Sequence, residues 1–242
     1  MAHRSNLYYE PLAKLGIVNL ERAFKWLGGA LFVGAIVWTA LWYALVLGQP
    51  HGWSGWGPPA YDALLFSVFA AHHSLFAREG LKAALARRLP EQLLRSVYVW
   101  TASALLILVS VFWQTVGGEV YRHIGAAWWL HAAVQLIGVW MIARSVGAID
   151  PLELAGIRAG SPGRLQMTGP YRLVRHPLYL GWMLGVCGPA QLTGDRLAFA
   201  AITSLYLVMA MPWEERALER ALGAQYASYK QQVRWKLVPY VF

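Results

Sequence analysis

The densest polar stretch of the sequence spans residues 163–182, and the dipeptide Gly169-Pro170 within it marks a turn. Pro177 is tolerated in a helix only near its start, so His176 is predicted to lie at a helix N-terminus. The backbone N–H groups of that terminus, together with the guanidinium of Arg175, could bind a carboxylate or a phosphate. The same stretch contains two tyrosines, Tyr171 and Tyr179. The alternative is a basic loop that contacts lipid headgroups.

Two adjacent carboxylates, Glu214 and Glu215, directly follow an apolar run. Removing a carboxylate from water is unfavourable unless a positive charge lies beside it. The pair could therefore recognise a cationic or amine-bearing ligand. Alternatively, it complements the positive N-terminal end of a helix that begins at this point.

Three histidines, His72, His73 and His131, lie inside apolar segments. Ionisable groups within a membrane are candidates for function, and His72 and His131 could be the axial ligands of a b-type haem in an electron-transfer subunit. The commoner alternative is a histidine whose hydrogen bonds are satisfied within the protein. The single cysteine, Cys187, excludes a cysteine-based zinc site, and the sequence predicts no metal centre.

The composition places these residues in a membrane protein. Of the 242 residues, 57% are hydrophobic and 14% are charged, whereas soluble domains average about 45–50% and about 25%. The net charge of +9 is distributed between long apolar runs, which favours membrane topology over nucleic-acid binding as its cause. The sequence contains no Walker A, GxGxxG or nucleic-acid motif. Neither a soluble nucleotide-binding domain nor a nucleic-acid partner is expected.

The apolar runs predict an all-α, polytopic integral membrane helix bundle with about six spans. Backbone polar groups in hydrocarbon must be paired within the segment, so each run is expected to be helical. A tight turn at Gly194-Asp195-Arg196 is predicted to join the last two runs as a helical hairpin. The six predicted segments are Trp26–Leu47, Ala60–Ala77, Ser96–Val116, Ala127–Ile149, Leu178–Thr193 and Leu197–Trp213.

The distribution of lysine and arginine predicts the orientation of the bundle. When the N-terminus is placed in the cytoplasm, every Lys and Arg except Arg122 and Arg196 falls in a cytoplasmic segment. This is the distribution that the positive-inside rule describes. Both termini are therefore predicted to be cytoplasmic, and the lipid bilayer is the one partner that the pattern requires. Nothing in the sequence indicates an obligate protein partner.

The chain divides into two parts of one continuous membrane domain. Residues 1–149 hold the first four predicted helices, and residues 150–242 hold a polar loop, a helical hairpin and a C-terminal cytoplasmic amphipathic helix. One face of that last helix carries Leu218, Leu222, Tyr226 and Tyr229. The face could pack on the membrane domain as a surface helix, or it could close a site against the loop 150–177.

The order and spacing of these residues resemble the C-terminal signature of the isoprenylcysteine carboxyl methyltransferase superfamily of membrane enzymes. The motifs that carry the resemblance are GPY (169–171), RHPLYLG (175–181), EE (214–215), LGxxYxxY (222–229), Val233 and Pro239. Upstream, AAHHSLFAR (70–78), LRSVYVW (94–100) and IDPLELAGIR (149–158) are similar to segments of the bacterial methanethiol S-methyltransferases. The resemblance is closest in pattern to that branch, which implies a bacterial inner-membrane protein.

This resemblance implies the transfer of a methyl group from S-adenosylmethionine in a membrane-bound site. The cofactor would be enclosed by the loop, the last helical hairpin and the C-terminal helix. The family's cofactor contacts map onto Gly163, Arg164, Leu165, Gln166, Tyr171, His176, Pro177, Leu178, Tyr179 and Glu214. The chemistry of the cofactor adds Arg175, which suits its carboxylate, and Glu215, which like Glu214 suits its ammonium group.

The methyl acceptor is expected to be a small thiol or another lipophilic molecule. A thiol must lose its proton before it attacks, and His72 and His73 are the candidate bases. In the eukaryotic prenylcysteine enzymes, which the chain resembles, an arginine about one turn before the matched glutamate contacts the substrate, whereas Ala210 stands here. Asp150-Pro151 departs from the Asp-His expected in the thiol branch. A prenylcysteine carboxyl group or a phospholipid amine is therefore the alternative acceptor.

Overall fold

A computed structural model of the chain describes residues 6–76, 78–158 and 165–242. It confirms a mainly helical protein. The described chain contains one 3₁₀ turn, Gly169–Arg172, shortly before the helix that begins at Pro177. The other elements of the described chain are α1 (Asn6–Leu45), α2 (Gly57–Phe76), α3 (Glu79–Ala86), α4 (Glu91–Phe112), β1 (Glu119–Arg122), α5 (Ala126–Ala148), α6 (Pro151–Leu154), α7 (Pro177–Cys187), β2 (Gln191–Thr193), α8 (Gly194–Leu222) and α9 (Ala224–Gln232).

Four helices of the described chain are long and apolar enough to cross a membrane, and they lie in α1, α4, α5 and α8. They correspond to four of the six segments that the sequence predicts. Of the other two, α2 has the length of a span but carries Asp62, His72 and His73. Helix α7 has 11 residues and extends only about 16 Å. Because a hydrocarbon core is about 30 Å thick, α7 cannot cross it alone.

Helix α7 packs against α5 at a point where two glycines meet. A Cβ atom on Gly138 of α5 would lie 2.6 Å from the carbonyl oxygen of Gly181 in α7, and a Cβ on Gly181 would lie 2.7 Å from the carbonyl oxygen of Gly138. Any side chain at either position would therefore push the two backbones apart. Small residues allow membrane helices to approach this closely, and the contact holds the short α7 beside a long helix.

A two-stranded antiparallel ribbon pairs β1, which follows α4, with β2, which precedes α8. The all-α prediction did not include this ribbon. The buried Asp195 holds this end of the molecule together. Its carboxylate accepts hydrogen bonds from the backbone N–H groups of Val116, at 2.9 Å, and Gly117, at 2.8 Å. It also accepts one from the indole N–H of Trp113, at 3.1 Å. The ribbon is thereby attached to the start of α8.

The predicted turn at Gly194-Asp195-Arg196 is wrong. These residues form the first turn of α8, and Thr193 is the N-cap, because its hydroxyl accepts a hydrogen bond from the backbone N–H of Arg196. The chain reverses earlier, after α7 ends at Cys187, and β2 then leads directly into α8. The predicted segment Leu178–Thr193 is therefore a short helix followed by a strand.

Helix α8 runs for 29 residues, well past the point at which the last span was predicted to end. Pro212 lies inside it without ending it. Glu214 and Glu215 are consequently interior residues of a helix, and the alternative in which they complement a helix N-terminus is wrong. The helix ends before Gly223, which has a φ of 52°, a left-handed conformation that glycine adopts at little cost. Only α9 is a separate C-terminal helix.

We predict that Gly138→Ala lowers the stability of the protein, because the added methyl group would overlap the backbone of α7. Overpacking of this kind costs about 1–3 kcal/mol. The matched control is Gly147→Ala on the same helix, where an added Cβ would meet no atom within 4 Å. The midpoint of thermal unfolding in one detergent should fall for Gly138→Ala and stay level or rise for Gly147→Ala. Equal midpoints for the two variants would contradict this helix contact.

Candidate functional site

A buried ion pair lies at the centre of the polar residues that the sequence singles out. The Nε atom of Arg175 donates to Oε1 of Glu215 at 2.7 Å, and the two side chains are 6% and 9% exposed. The same guanidinium donates from NH1 to the carbonyl oxygens of Val233, at 2.9 Å, and Arg234, at 2.7 Å. One side chain thus joins the segment before α7, helix α8 and the C-terminal tail.

The backbone strengthens this connection between the tail and the start of α7. The N–H group of Arg175 donates to the carbonyl oxygen of Trp235, and the N–H group of His176 donates to that of Lys236, both at 2.9 Å. Val174 beside them is fully buried. The C-terminal tail therefore lies along residues 174–176 and covers the point at which α7 begins.

His176 brings the two carboxylates and a tyrosine together. Its Nε2 atom lies 3.4 Å from Oε1 of Glu215, and its Nδ1 atom lies 3.6 Å from Oε2 of Glu214. The hydroxyl of Tyr179 donates to Oε2 of Glu214 at 2.7 Å, and the Tyr179 ring stacks on His176 with centroids 5.3 Å apart. The side chain of Glu214 is 46% exposed, whereas that of His176 is 4% exposed. Glu214 is therefore the accessible acid of this group.

The N-terminus of α7 presents backbone donors beside Glu214. Pro177 has no N–H group, and the first helical hydrogen bond is donated by Leu180 to the carbonyl of His176. Within the described chain, no side chain caps this terminus, and no acceptor is paired with the N–H groups of Leu178 and Tyr179. Two free N–H groups at the positive end of a helix are suited to binding an anionic group.

Helix α9 closes one side of the site against the loop that precedes α7. Tyr226, Tyr229 and Val233 form a buried cluster, and Leu165 and Met167 of the loop pack against it together with Leu218 and Leu222 of α8. The Tyr229 hydroxyl donates to the carbonyl oxygen of Tyr171 at 2.8 Å. The apolar face that the sequence places in the tail thus contacts the loop, even though Gly223 divides it between two helices.

Tyr171 remains neutral in this environment. Burial, and to a smaller extent the negative charge of Glu214, raise the pKa of its hydroxyl to about 12. The pKa of Tyr229 is raised as well, mainly by burial. Both phenols are therefore protonated at physiological pH, and each can donate a hydrogen bond or offer an uncharged ring face.

The remaining predicted site residues lie in different parts of the chain. Gly163 and Arg164 lie outside the described residues. Leu165 packs on the α9 cluster, and Gln166 is half-buried. His72 and His73 lie near the end of α2, where the ring of His73 is in edge contact with Tyr98 and Tyr206, with centroids 5.6 and 6.1 Å apart.

Two further tyrosines near the site, Tyr98 of α4 and Tyr206 of α8, were not predicted to be site residues from the sequence. Both lie close enough to Tyr179 to interact with it electrostatically, and Tyr206 also interacts with Glu214. Each is a hydroxyl-bearing ring within an apolar stretch of its helix, and that is the signal by which they could have been found.

The structure does not bring His72 and His131 together as a haem-ligand pair. The Nε2 atom of His131 lies 2.8 Å from Nδ1 of His123, and its Nδ1 atom lies 3.0 Å from the carbonyl oxygen of Gly188, so both nitrogens are engaged near the strand ribbon. At that same end of the molecule, Asp62 of α2 accepts a hydrogen bond from the backbone N–H of Gln114. His72 lies about 15 Å further along α2 than Asp62 and is therefore far from His131. Within the described residues, no group of three or more His, Cys, Asp or Glu could hold a metal ion.

No protein-family model matches the chain, and no solved structure gives a significant match. Curated proteins do match. The chain is 35% identical over 193 residues to methanethiol S-methyltransferase 2 of Bradyrhizobium diazoefficiens, and the aligned region covers 75% of this chain and 73% of that protein. It is 33% identical over 189 residues to the methanethiol S-methyltransferase of Mycobacterium tuberculosis, with 71% and 75% covered. It is also 27% identical over 152 residues to protein-S-isoprenylcysteine O-methyltransferase B of Arabidopsis thaliana, with 58% and 75% covered.

We predict that Glu215→Gln destabilises the fold strongly, because it leaves the guanidinium of Arg175 buried without a compensating charge. Breaking one side of a buried ion pair costs about 3–5 kcal/mol. The control is Glu219→Gln on the same helix, since the ion pair of Glu219 with Lys230 is exposed and such pairs contribute at most about 1 kcal/mol. Thermal unfolding in detergent should separate the two variants clearly. A loss no greater than that of the control would show that the pair is not buried.

Proposed function

Because this chain belongs to the methanethiol S-methyltransferase family, we propose that it transfers a methyl group from S-adenosylmethionine to a small apolar thiol. It is a membrane methyltransferase, and the proposal concerns its methyl donor, its acceptor and the residues that bind them. One observation carries it: an accessible carboxylate, Glu214, lies beside the free N-terminus of α7. These two features match the two charged ends of an amino acid.

The proposal assigns the ammonium group of the cofactor to Glu214. This carboxylate is half-exposed and is held in place by the hydroxyl of Tyr179 at 2.7 Å, so it keeps acceptor positions for a ligand. A hydrogen bond between an ammonium and a carboxylate is about twice as strong as one between neutral groups. Glu214 therefore supplies both charge and orientation.

The carboxylate of the cofactor is assigned to the N–H groups of Leu178 and Tyr179. These donors have no partner within the described chain, and the helix dipole adds a favourable field for an anion. The proposal therefore places Leu178 and Tyr179 in contact with the cofactor through their backbones, while Pro177 fixes the start of the helix.

Arg175 and Glu215 have a supporting role in this proposal. The sequence suggested that they bind the charged groups of the cofactor, but each is the other's buried partner. Their pairing positions His176 and the tail, and so determines where Glu214 and the α7 terminus stand. The residues 163–166 remain proposed cofactor contacts on the strength of the family resemblance, since they directly precede Met167, which packs on α9.

The chain's own contribution to methyl transfer is alignment in a site closed to water. S-adenosylmethionine, when bound, supplies a methyl group attached to a positively charged sulfur. The neutral rings of Tyr171 and Tyr179 can face that charge, because aromatic faces attract cations. Holding donor and acceptor in line accelerates a displacement without a protein nucleophile.

Ala210 favours a small, uncharged acceptor. It lies one helical turn before Glu214 and one turn after Tyr206, so the three residues lie close to one face of α8. A methyl side chain at this position leaves space and brings no positive charge for a carboxylate acceptor. A thiol acceptor, as in the names of the relatives, fits this surface better than a prenylcysteine carboxyl group.

We also propose that both termini are cytoplasmic and that the protein lies in a bacterial inner membrane. The positive charges support this orientation, because all of them except Arg122 and Arg196 fall on one side when six segments are counted. The two exceptions lie at the strand ribbon and at the start of α8. The cofactor site would then face the cytoplasm.

We predict that Glu214→Gln weakens the binding of S-adenosylhomocysteine about 10- to 100-fold, because one charge-assisted hydrogen bond is lost. This ligand keeps the amino and carboxylate groups but lacks the sulfonium charge, so it tests the amino-acid end alone. Isothermal titration calorimetry in detergent measures the Kd. Glu219→Gln on the same helix is the control and should leave the Kd unchanged. Equal affinity for both variants and the unaltered protein would refute the assignment of Glu214.

A panel of acceptors tests the thiol assignment. With labelled S-adenosylmethionine, the unaltered protein should convert short alkyl thiols to methyl thioethers and should form no methyl ester on a farnesylcysteine analogue. The reason is the absence of a charged side chain at Ala210. Methyl ester formation on the prenylcysteine analogue, with no product from any thiol, would establish the alternative acceptor instead.

A further inference from the structure

We propose that His73 is the base that removes the proton from the acceptor thiol, and that the rings of His73, Tyr98 and Tyr206 line the acceptor site. This inference rests on the proposed function and adds a residue and a place for the second substrate. It starts from a side-chain cluster that cofactor binding alone does not explain.

Three helices contribute to the cluster, and it adjoins Glu214. His73 lies on α2, Tyr98 on α4, and Tyr206 on α8 two turns before Glu214. The centroid of the His73 ring is 5.6 Å from that of Tyr98 and 6.1 Å from that of Tyr206. Glu214 interacts electrostatically with both His73 and Tyr206. A molecule that lies against the exposed side of this cluster would thus lie next to the proposed cofactor.

His73, and not its neighbour His72, has a ring that a substrate can reach. The residue His73 is exposed. In contrast, both ring nitrogens of His72 are buried, and within the described chain they have no hydrogen-bond partner. The His72 ring stacks face to face on Tyr98, with an interplanar angle of 10°. We therefore assign His72 to the packing that fixes Tyr98.

The other polar groups around His73 are unsuited to act as the base. Tyr98, Tyr206 and Tyr179 are phenols, which are protonated and uncharged at neutral pH. Glu214 is committed to Tyr179 and, in the proposal, to the ammonium group of the cofactor. The ring nitrogens of His72 are buried. Among the described groups that α2, α4, α7 and α8 bring together here, the imidazole of His73 is therefore the remaining proton acceptor.

The chemistry requires such an acceptor because a thiol is mostly protonated at neutral pH and its thiolate is the nucleophile. A ring nitrogen of His73 takes the proton of the S–H group. The electron pair left on that sulfur forms the new carbon–sulfur bond, while the bond from the methyl carbon to the sulfonium breaks and its electron pair remains on the departing sulfur. The proton on His73 then passes to water, so that one proton is released for each methyl group transferred.

His73→Gln tests this role with two acceptors, one that needs a base and one that is already ionised. For an alkyl thiol, kcat/KM should fall at least about 100-fold, which is the usual contribution of general base catalysis, and activity should recover as the pH approaches the pKa of the thiol. For an aryl thiol that is already ionised at the assay pH, the loss should stay within about threefold. Equal losses for both acceptors, or no loss for the alkyl thiol, would overturn the proposal.

Two measurements separate a failure of this inference from a failure of the proposed function. His51→Gln, in the loop between α1 and α2, is the matched control and should leave both activities unchanged. The Kd of S-adenosylhomocysteine should be the same for His73→Gln and the unaltered protein. If the unaltered protein binds no S-adenosylhomocysteine and methylates no thiol, the proposed function itself is wrong.

Chemical modification of the unaltered protein supplies a test that needs no variant and no cofactor. Diethyl pyrocarbonate acylates accessible imidazoles, and mass spectrometry of peptides reports the rate at each histidine. Ethyl methyl sulfide, an unreactive thioether of the product class, should slow the modification of His73 about twofold at a concentration equal to its Kd. The rate at His51 should not change. Equal rates at His73 with and without saturating thioether would refute the acceptor site.

Discussion

The arrangement of the polar end of this molecule depends on one buried ion pair. Arg175 and Glu215 are both almost inaccessible to solvent, and a buried guanidinium is tolerated only when its charge and its N–H groups have partners. Glu215 satisfies the charge, and the carbonyl oxygens of Val233 and Arg234 satisfy further donors. The tail must therefore return across the start of α7, because its backbone supplies these acceptors to the buried guanidinium.

This constraint separates the roles of two adjacent carboxylates. Consecutive residues of a helix point about 100° apart, so when Glu215 faces Arg175, Glu214 faces Tyr179 and the aromatic rings of neighbouring helices. That separation exists only because α8 continues unbroken through Pro212. One acid thus stabilises the fold, while the other remains accessible beside the helix terminus. A methyl-transfer site that depends on alignment gains from such a division, because the accessible acid is held by a rigid helix.

The sequence predicted much of this arrangement and missed specific parts of it. The long apolar runs predicted a membrane helix bundle, because backbone polar groups in hydrocarbon must be paired within a helix. Pro177, which is tolerated at a helix start, predicted that His176 lies at a helix N-terminus, as the structure has it. The strand ribbon was missed because β2 has only three residues, which carry no periodicity. The continuity of α8 was missed because Pro212 and two acids usually suggest a boundary. The pairing of Arg175 with Glu215 joins residues 40 positions apart, and no local pattern encodes it.

A structure of the protein in lipid with S-adenosylhomocysteine bound tests the central claim most directly. The account predicts that the ligand's ammonium group lies within hydrogen-bonding distance of Glu214 and that its carboxylate meets the N–H groups of Leu178 and Tyr179, while Arg175 and Glu215 remain paired. Density for the ligand at the opposite end, in the cavity lined by Tyr43, Trp128 and Arg196, would contradict it. An Arg175 side chain turned away from Glu215 to bind the ligand's carboxylate would contradict it equally.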